Sequence, residues 1–301
     1  MMDRSVSVWE GVVSAIVTPL RDGGNDIDPG AMREYCDFII QKGVDGIFVL
    51  GTTGEGPLLS LSERKAIAET LVTHVNKRVP VIIQTGCIRA QQTIELTKHC
   101  RDIDADAAGI VLPYYYNLDN EAIFDHFVRI ADTVPGFPLF IYNIPECTGN
   151  NLSPDLLERL IDRIETVVGV KTSNCDIFQV QDYIRIAEDK CSVFIGCDAL
   201  ILASLCAGVR GIVSGNASVF PELFVRIYQA FDRGELQKVR EYQSSIDKLI
   251  EVLAKGGIAS FKKALEFRGI RVGGVREPNR NLSDEEAAKL RESLRGLGLI
   301  P

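Results

Sequence analysis

Thr166-Val167-Val168-Gly169-Val170-Lys171 is a short apolar run that ends in a lysine, and its reading decides the fold. The run reads as a strand of four or five residues buried between its neighbours. A lysine at the carboxyl end of such a strand projects its amine into the mouth of a barrel. Lysine is seldom buried without a role, and burial of an amine disfavours the ammonium form. A neutral amine can attack a ketone and form a Schiff base. The bland alternative is a lysine that snorkels from a strand end, and the rest of the chain decides between the two.

Outward from this run, similar apolar stretches recur at 12–17, 46–50, 79–84, 107–112, 139–142, 192–195 and 211–213. Each is brief and apolar on both faces, as parallel strands covered by helices should be. Amphipathic segments separate them. One begins Ser62-Glu63-Arg64-Lys65, with Ser62 as N-cap; another opens Ser153-Pro154-Asp155, with Ser153 as N-cap and Pro154 in the first turn. Eight β–α alternations predict a (β/α)8 TIM barrel over residues 1–233. From Gly234 the pattern becomes helical and charged (236–253, 258–268, 284–294), which predicts an appended C-terminal helical domain over 234–301.

The 301 residues are 46% hydrophobic and 25% charged, with a net charge of −8. This is the balance of a soluble globular chain, and it argues against nucleic acid and anionic membranes as partners. The opening Met1-Met2-Asp3-Arg4-Ser5 lacks an apolar signal core, and no apolar stretch is long enough to span a bilayer. Eight cysteines form no Cys-x-x-Cys pair and there are three histidines, so no metal site is expected. Several cysteines sit in apolar runs as small hydrophobes, which points to a reducing, cytoplasmic compartment. His74, His99 and His126 fall in helical segments and read as surface or packing residues.

Function in a barrel lies at the carboxyl ends of its strands. After the second strand comes Gly51-Thr52-Thr53-Gly54-Glu55-Gly56, a turn whose glycines let N–H groups converge on an anion while the threonine hydroxyls add donors. It lacks the lysine of a phosphate loop and suits a carboxylate. Pro113-Tyr114-Tyr115-Tyr116 follows the fourth strand and Tyr142-Asn143-Ile144-Pro145 the fifth; a phenol near an amine can pass protons during imine formation. Gly196-Cys197-Asp198 and Ser214-Gly215-Asn216 follow the seventh and eighth. Arg89, after the third strand, could reach an acidic substrate or simply cap a helix. An anion turn, two phenols and an amine on independent strand ends describe a site that grips a 2-oxo acid and forms an imine with it.

These motifs resemble the dihydrodipicolinate synthase / N-acetylneuraminate lyase family of class I pyruvate aldolases. The resemblance covers essentially the whole chain: Gly11 through Thr18-Pro19, Gly51-Thr52-Thr53-Gly54-Glu55, Pro113-Tyr114-Tyr115, Tyr142-Asn143-x-Pro145-x-x-Thr148-Gly149, Gly169-Val170-Lys171 and Lys262-x-Ala264-Leu265-x-x-x-Gly269. It implies a barrel with a helical C-terminal domain and a homotetramer built as a dimer of dimers. It implies Lys171 as the Schiff-base lysine, Tyr142 as the acid/base for the substrate hydroxyl, and Thr52, Thr53 and Gly54 as the carboxylate site. Thr53 and Tyr115 would form a proton relay, with Tyr115 reaching across the dimer contact. Gly196 and the Val213 backbone would line the pocket. No cofactor is implied.

Within that resemblance some positions bear on the substrate. Dihydrodipicolinate synthases carry an arginine two residues after the proline of the Tyr-Asn-x-Pro motif, where it pairs with the carboxylate of aspartate semialdehyde; here that residue is Cys147. A thiol cannot form a bidentate carboxylate pair, and relatives that cleave 2-keto-3-deoxy sugar acids usually have a small or apolar residue there. Gly56, Pro57 and Ile88 stand where some synthases bind feedback lysine through polar residues. The turn differs from the Gly-Ser-Thr-Gly usual in N-acetylneuraminate lyases, and Thr172 replaces the aspartate of many sugar-acid aldolases. The expected activity is cleavage or formation of a 2-keto-3-deoxy sugar acid, such as 2-keto-3-deoxygluconate, with pyruvate and an aldehyde as partners. The alternatives are dihydrodipicolinate synthase, an imine-forming sugar-acid dehydratase, and a non-catalytic relative that binds a 2-oxo acid.

Overall fold

The computed structural model describes residues 9–301; the reading of Met1–Ser5 above lies outside them. The strands are β1 (Gly11–Ala15), β2 (Gly46–Val49), β3 (Val81–Gln84), β4 (Ala107–Val111), β5 (Leu139–Asn143), β6 (Val167–Thr172), β7 (Ser192–Ile195) and β8 (Gly211–Ser214). They form a closed parallel barrel in sequential order, the TIM-barrel architecture expected from the alternation. Every apolar run of the sequence falls on one of these strands, and nearly every strand residue is buried. A small antiparallel pair, Leu20–Arg21 with Asp26–Ile27, follows β1 and carries no period in the sequence.

Twelve α-helices are described: α1 (Pro29–Gln41), α2 (Leu61–Val75), α3 (Ala90–Asp102), α4 (Asn120–Ala131), α5 (Pro145–Thr148), α6 (Pro154–Arg163), α7 (Ile177–Ala187), α8 (Ile201–Ala207), α9 (Pro221–Asp232), α10 (Leu236–Leu253), α11 (Gly257–Phe267) and α12 (Asp284–Gly296). Their starts follow capping chemistry. Asp28, Asp119 and Ser153 each accept a first-turn N–H, and Ser283 forms a reciprocal capping box with Glu286. The expected cap of α2 is corrected: Ser60, not Ser62, is the N-cap, because Glu63 lies three residues on and returns a bond to the Ser60 N–H at 2.8 Å. Among the described residues no helix is long and apolar enough to cross a membrane.

The chain divides into two compact units. One comprises Ile82–Val213, and the other Val12–Val81 with Ser214–Pro301. In the first, β5 and β6 pair so that Tyr142 stands opposite Lys171 and Asn143 opposite Thr172. The register shifts once, between Leu139 and Phe140. At that shift Gly169 is obligatory, since a methyl there would lie 2.1 Å from the Phe140 ring. Phe140 in turn packs edge-on against Phe194 at 5.8 Å. In the second unit, α9 to α12 carry buried apolar faces, among them Phe224, Ile246, Leu265 and Leu294.

Candidate active site

The first unit supplies the amine and a phenol. Lys171 is 4% exposed and Tyr142 2%, and the Lys171 Nζ sits 3.8 Å above the centroid of the Tyr142 ring. This is what the register dictates: equivalent residues on adjacent parallel strands, at the strand ends, share a face. Gly196, at the end of β7, donates its N–H to the Thr172 carbonyl at 2.7 Å. A methyl at position 196 would lie 2.4 Å from Ser173 Oγ and 3.4 Å from Lys171 Cε, so the missing side chain is room for Ser173, with the lysine stem just beyond it. Val213 is buried on β8.

Asn143 fixes the strand end beside Tyr142. Fully buried, its Nδ2 donates to Asn151 Oδ1 at 2.9 Å and to the Tyr183 hydroxyl at 3.2 Å. Its Oδ1 accepts from the Leu152 N–H at 3.1 Å, and its carbonyl from the Ser173 N–H at 2.8 Å. Such a satisfied network specifies one arrangement of the loops it joins. The sequence motif contains Asn143, but its partners lie up to 40 residues away and could not be read from it.

Cys147 lies on α5, exposed; partial burial and Glu146 push its thiol up, with Lys171 opposing, so the group is a neutral thiol at pH 7. Tyr115 is 81% exposed and stacks edge-on with Tyr116 at 5.0 Å. Its φ of +81° is rare for a residue with a side chain. The loop is held from beneath, where Asn150 Nδ2 donates to the Pro113 and Tyr116 carbonyls at 2.8 Å each. Tyr115 therefore points away from its own chain, unlike the buried Tyr142. Arg89 is the N-cap residue of α3 and makes no side-chain capping bond.

A disulfide joins Cys175, after β6, to Cys197, after β7, with Cα atoms 5.5 Å apart. The sequence reading, which took several cysteines as small hydrophobes in apolar runs, did not include this pair. Their sequence separation of 22 fits no motif; adjacency of two strand ends makes the pair. Of the histidines, His74 pairs with Asp37 at 2.9 Å and His126 packs edge-on against Phe127. Among the described residues no His/Cys/Asp/Glu group could hold a metal ion.

The second unit supplies the Gly51–Gly56 turn. Leu50 and Glu55 both have positive φ, at 63° and 55°, so the turn begins and ends in left-handed backbone. The Thr18 hydroxyl donates to the Gly54 carbonyl at 2.6 Å. A methyl at Gly215 would lie 2.6 Å from Thr53 Oγ1. Thr52 is exposed and Thr53 half-buried, while Gly54 and Glu55 are buried.

The sequence matches the Dihydrodipicolinate synthetase family over residues 8–297. It is 36% identical over 96% of this chain, and 94% of the relative, to an uncharacterized DapA-like lyase of Halobacterium salinarum. It is 34% identical, over 97% of both chains, to a 4-hydroxy-tetrahydrodipicolinate synthase of Methanopyrus kandleri. Among solved structures it is similar to a catalytic lysine mutant of a Ruminococcus gnavus sialic acid aldolase, with a TM-score of 0.93 and 25% identity, covering 99% of this chain and 98% of that one.

Proposed function

The chain belongs to the dihydrodipicolinate synthetase family and is a pyruvate-dependent, aldolase-type enzyme of the class that forms a lysine Schiff base; on that premise we propose that Lys171 is the imine-forming residue and that the substrate is a 2-keto-3-deoxy sugar acid such as 2-keto-3-deoxygluconate. The Lys171 amine attacks the C2 ketone and Tyr142 gives its phenol proton to the departing hydroxyl, so that water leaves behind an iminium and a Tyr142 phenolate. The C3–C4 bond then breaks, its electron pair flows into the iminium to give a neutral enamine, and the C4 hydroxyl proton passes to Tyr142 as the aldehyde departs. Protonation of the enamine at C3 and hydrolysis release pyruvate and restore the amine. Thr52, Thr53 and Gly54 hold the carboxylate, and Gly196 and Val213 line the pocket. Tyr115, exposed in the single chain, continues the proton relay from Thr53 into a neighbouring subunit of a homotetramer.

The observation that carries the substrate assignment is Cys147, a neutral thiol on α5. A semialdehyde carboxylate there would lose the bidentate arginine contact. Hydrogen bonds to charged groups contribute about 1.5–3 kcal/mol each, a deficit of about a hundredfold or more in specificity. A polyhydroxylated aldehyde has no carboxylate at that end and suffers no such loss. The second reading is dihydrodipicolinate synthase. It is favoured by the named synthase at 34% identity and by Arg89, whose exposed guanidinium has no capping duty.

The two separate on acceptor choice with pyruvate as donor. The expected result is a higher kcat/KM for glyceraldehyde than for aspartate semialdehyde, and Cys147→Arg should move the ratio toward the semialdehyde. A wild-type preference for aspartate semialdehyde would replace the sugar-acid assignment with the synthase.

A further inference from the structure

Glu55 and Lys262 form an ion pair of 2.6 Å with side-chain exposures of 0% and 2%. Burying two charges costs more than a surface pair returns unless further contacts compensate, and here both partners have them. The second Glu55 oxygen accepts from the Arg276 N–H at 2.7 Å and from Asn279 Nδ2 at 3.3 Å. Lys262 Nζ also donates to the Gly274 carbonyl at 2.6 Å. Glu55 is the residue whose left-handed backbone, φ +55°, ends the Thr52-Thr53-Gly54 turn.

Arg276 extends the grip. Its guanidinium donates to the Gly24 carbonyl at 2.6 Å and to Glu63 at 2.7 Å, and Glu63 is the capping-box residue of α2, the helix that leaves the turn. The turn's exit and the start of the next helix are therefore both held by side chains from α11 and the segment after it. A surface turn needs no buried charge to exist; a turn whose N–H and hydroxyl groups must stay aimed at a ligand does gain from one.

We propose that Lys262 is a positioning residue for substrate carboxylate binding, acting through Glu55 on the Thr52-Thr53 turn. This rests on the reading of that turn as the carboxylate site. Lys262 touches no reacting atom, so its loss weakens capture of the 2-oxo acid and spares the chemistry that follows.

The test is the concentration dependence of borohydride trapping of pyruvate on Lys171. In Lys262→Met the half-saturating pyruvate concentration should rise between about tenfold and a hundredfold, the scale of a misplacement near 1 Å. The limiting trapping rate should stay within about twofold. Combined with Thr53→Val, the two effects on half-saturation should be less than multiplicative, because both act through one turn. Glu55→Gln keeps the shape while removing the charge, and it carries the same test if Lys262→Met does not fold. An unchanged half-saturation, a limiting rate that falls in parallel, or fully multiplicative effects would each overturn the proposal. If Thr52→Ala and Thr53→Val both leave half-saturation unchanged while Lys262→Met raises it, the carboxylate reading of the turn fails instead.

Discussion

Gly196→Ala isolates how closely the reactive amine is packed. The added methyl would lie 2.4 Å from Ser173 Oγ and 3.3 Å from the Thr172 carbonyl oxygen. An ordinary contact is about 3.5 Å, so Ser173 or the strand end must yield by about 1 Å. The backbone is the poorer candidate, because the Gly196 N–H is bonded to that same carbonyl at 2.7 Å and Cys197 beside it is tied to Cys175. The strain therefore falls on Ser173, and it reaches Lys171 if Ser173 yields toward the lysine, whose Cε stands 3.4 Å from the new methyl. Overpacking of this kind costs about 1–3 kcal/mol in stability. A nucleophile displaced by a fraction of an ångström to 1 Å loses about tenfold to a hundredfold in rate. The assay is the borohydride trapping rate at saturating pyruvate, read beside a thermal melt. Ser173→Gly in the same chain removes the obstructing hydroxyl and should recover most of the rate. If Gly196→Ala traps pyruvate as fast as wild type, the crowding at Ser173 does not reach the lysine.

Two further outcomes follow from other parts of the first unit. Cys175→Ser opens a loop closed over a separation of 22 residues, worth about 3 kcal/mol in the chain-entropy account; urea unfolding under non-reducing conditions should show that loss, and equal stabilities would mean the cysteines are not paired in solution. His126, lowered to about 4 by burial with Arg129 adding to it, is neutral when folded but protonates near pH ~6.5 when unfolded. Its contribution is thus present above pH ~6.5 and is lost as pH falls toward 4, up to about 3 kcal/mol, so His126→Gln should flatten the acid limb of stability between those values, and an unaltered limb would assign the loss to carboxylates.

The barrel was legible because each strand is a self-contained signal. Runs such as Ser192–Ile195 are apolar on both faces, and nothing but a covered parallel strand needs that. Lys171 was legible for the complementary reason: a charged residue ending such a run is costly without a use. What escaped was everything decided between elements. Ser62 and Ser60 both look like helix caps, and only the position of Glu63 chooses. Cys175 and Cys197 are unremarkable until β6 and β7 stand side by side. Lys262 and Glu55 both lay inside motifs visible in the sequence, yet their pairing across 207 positions depends on the tertiary fold.

The same division explains where substitutions should matter most. No residue with proposed chemistry here is held by its own strand alone. Lys171 is bounded by Tyr142 and by the space at Gly196. The strand end that carries Tyr142 is fastened through Asn143 to Asn151, Leu152 and Tyr183. Thr53 stands against the space at Gly215, and its turn ends on the buried Glu55. A parallel strand presents its terminal side chains in a fixed direction, but it leaves several ångströms of freedom to a lysine and none of the convergence a loop needs. Polar residues and missing side chains supply that restraint from neighbouring segments. It follows that Asn143, Gly215 and Lys262, none of which takes part in bond making, should tolerate replacement less well than an exposed residue that lies nearer the nucleophile in sequence, such as Phe178, 76% exposed.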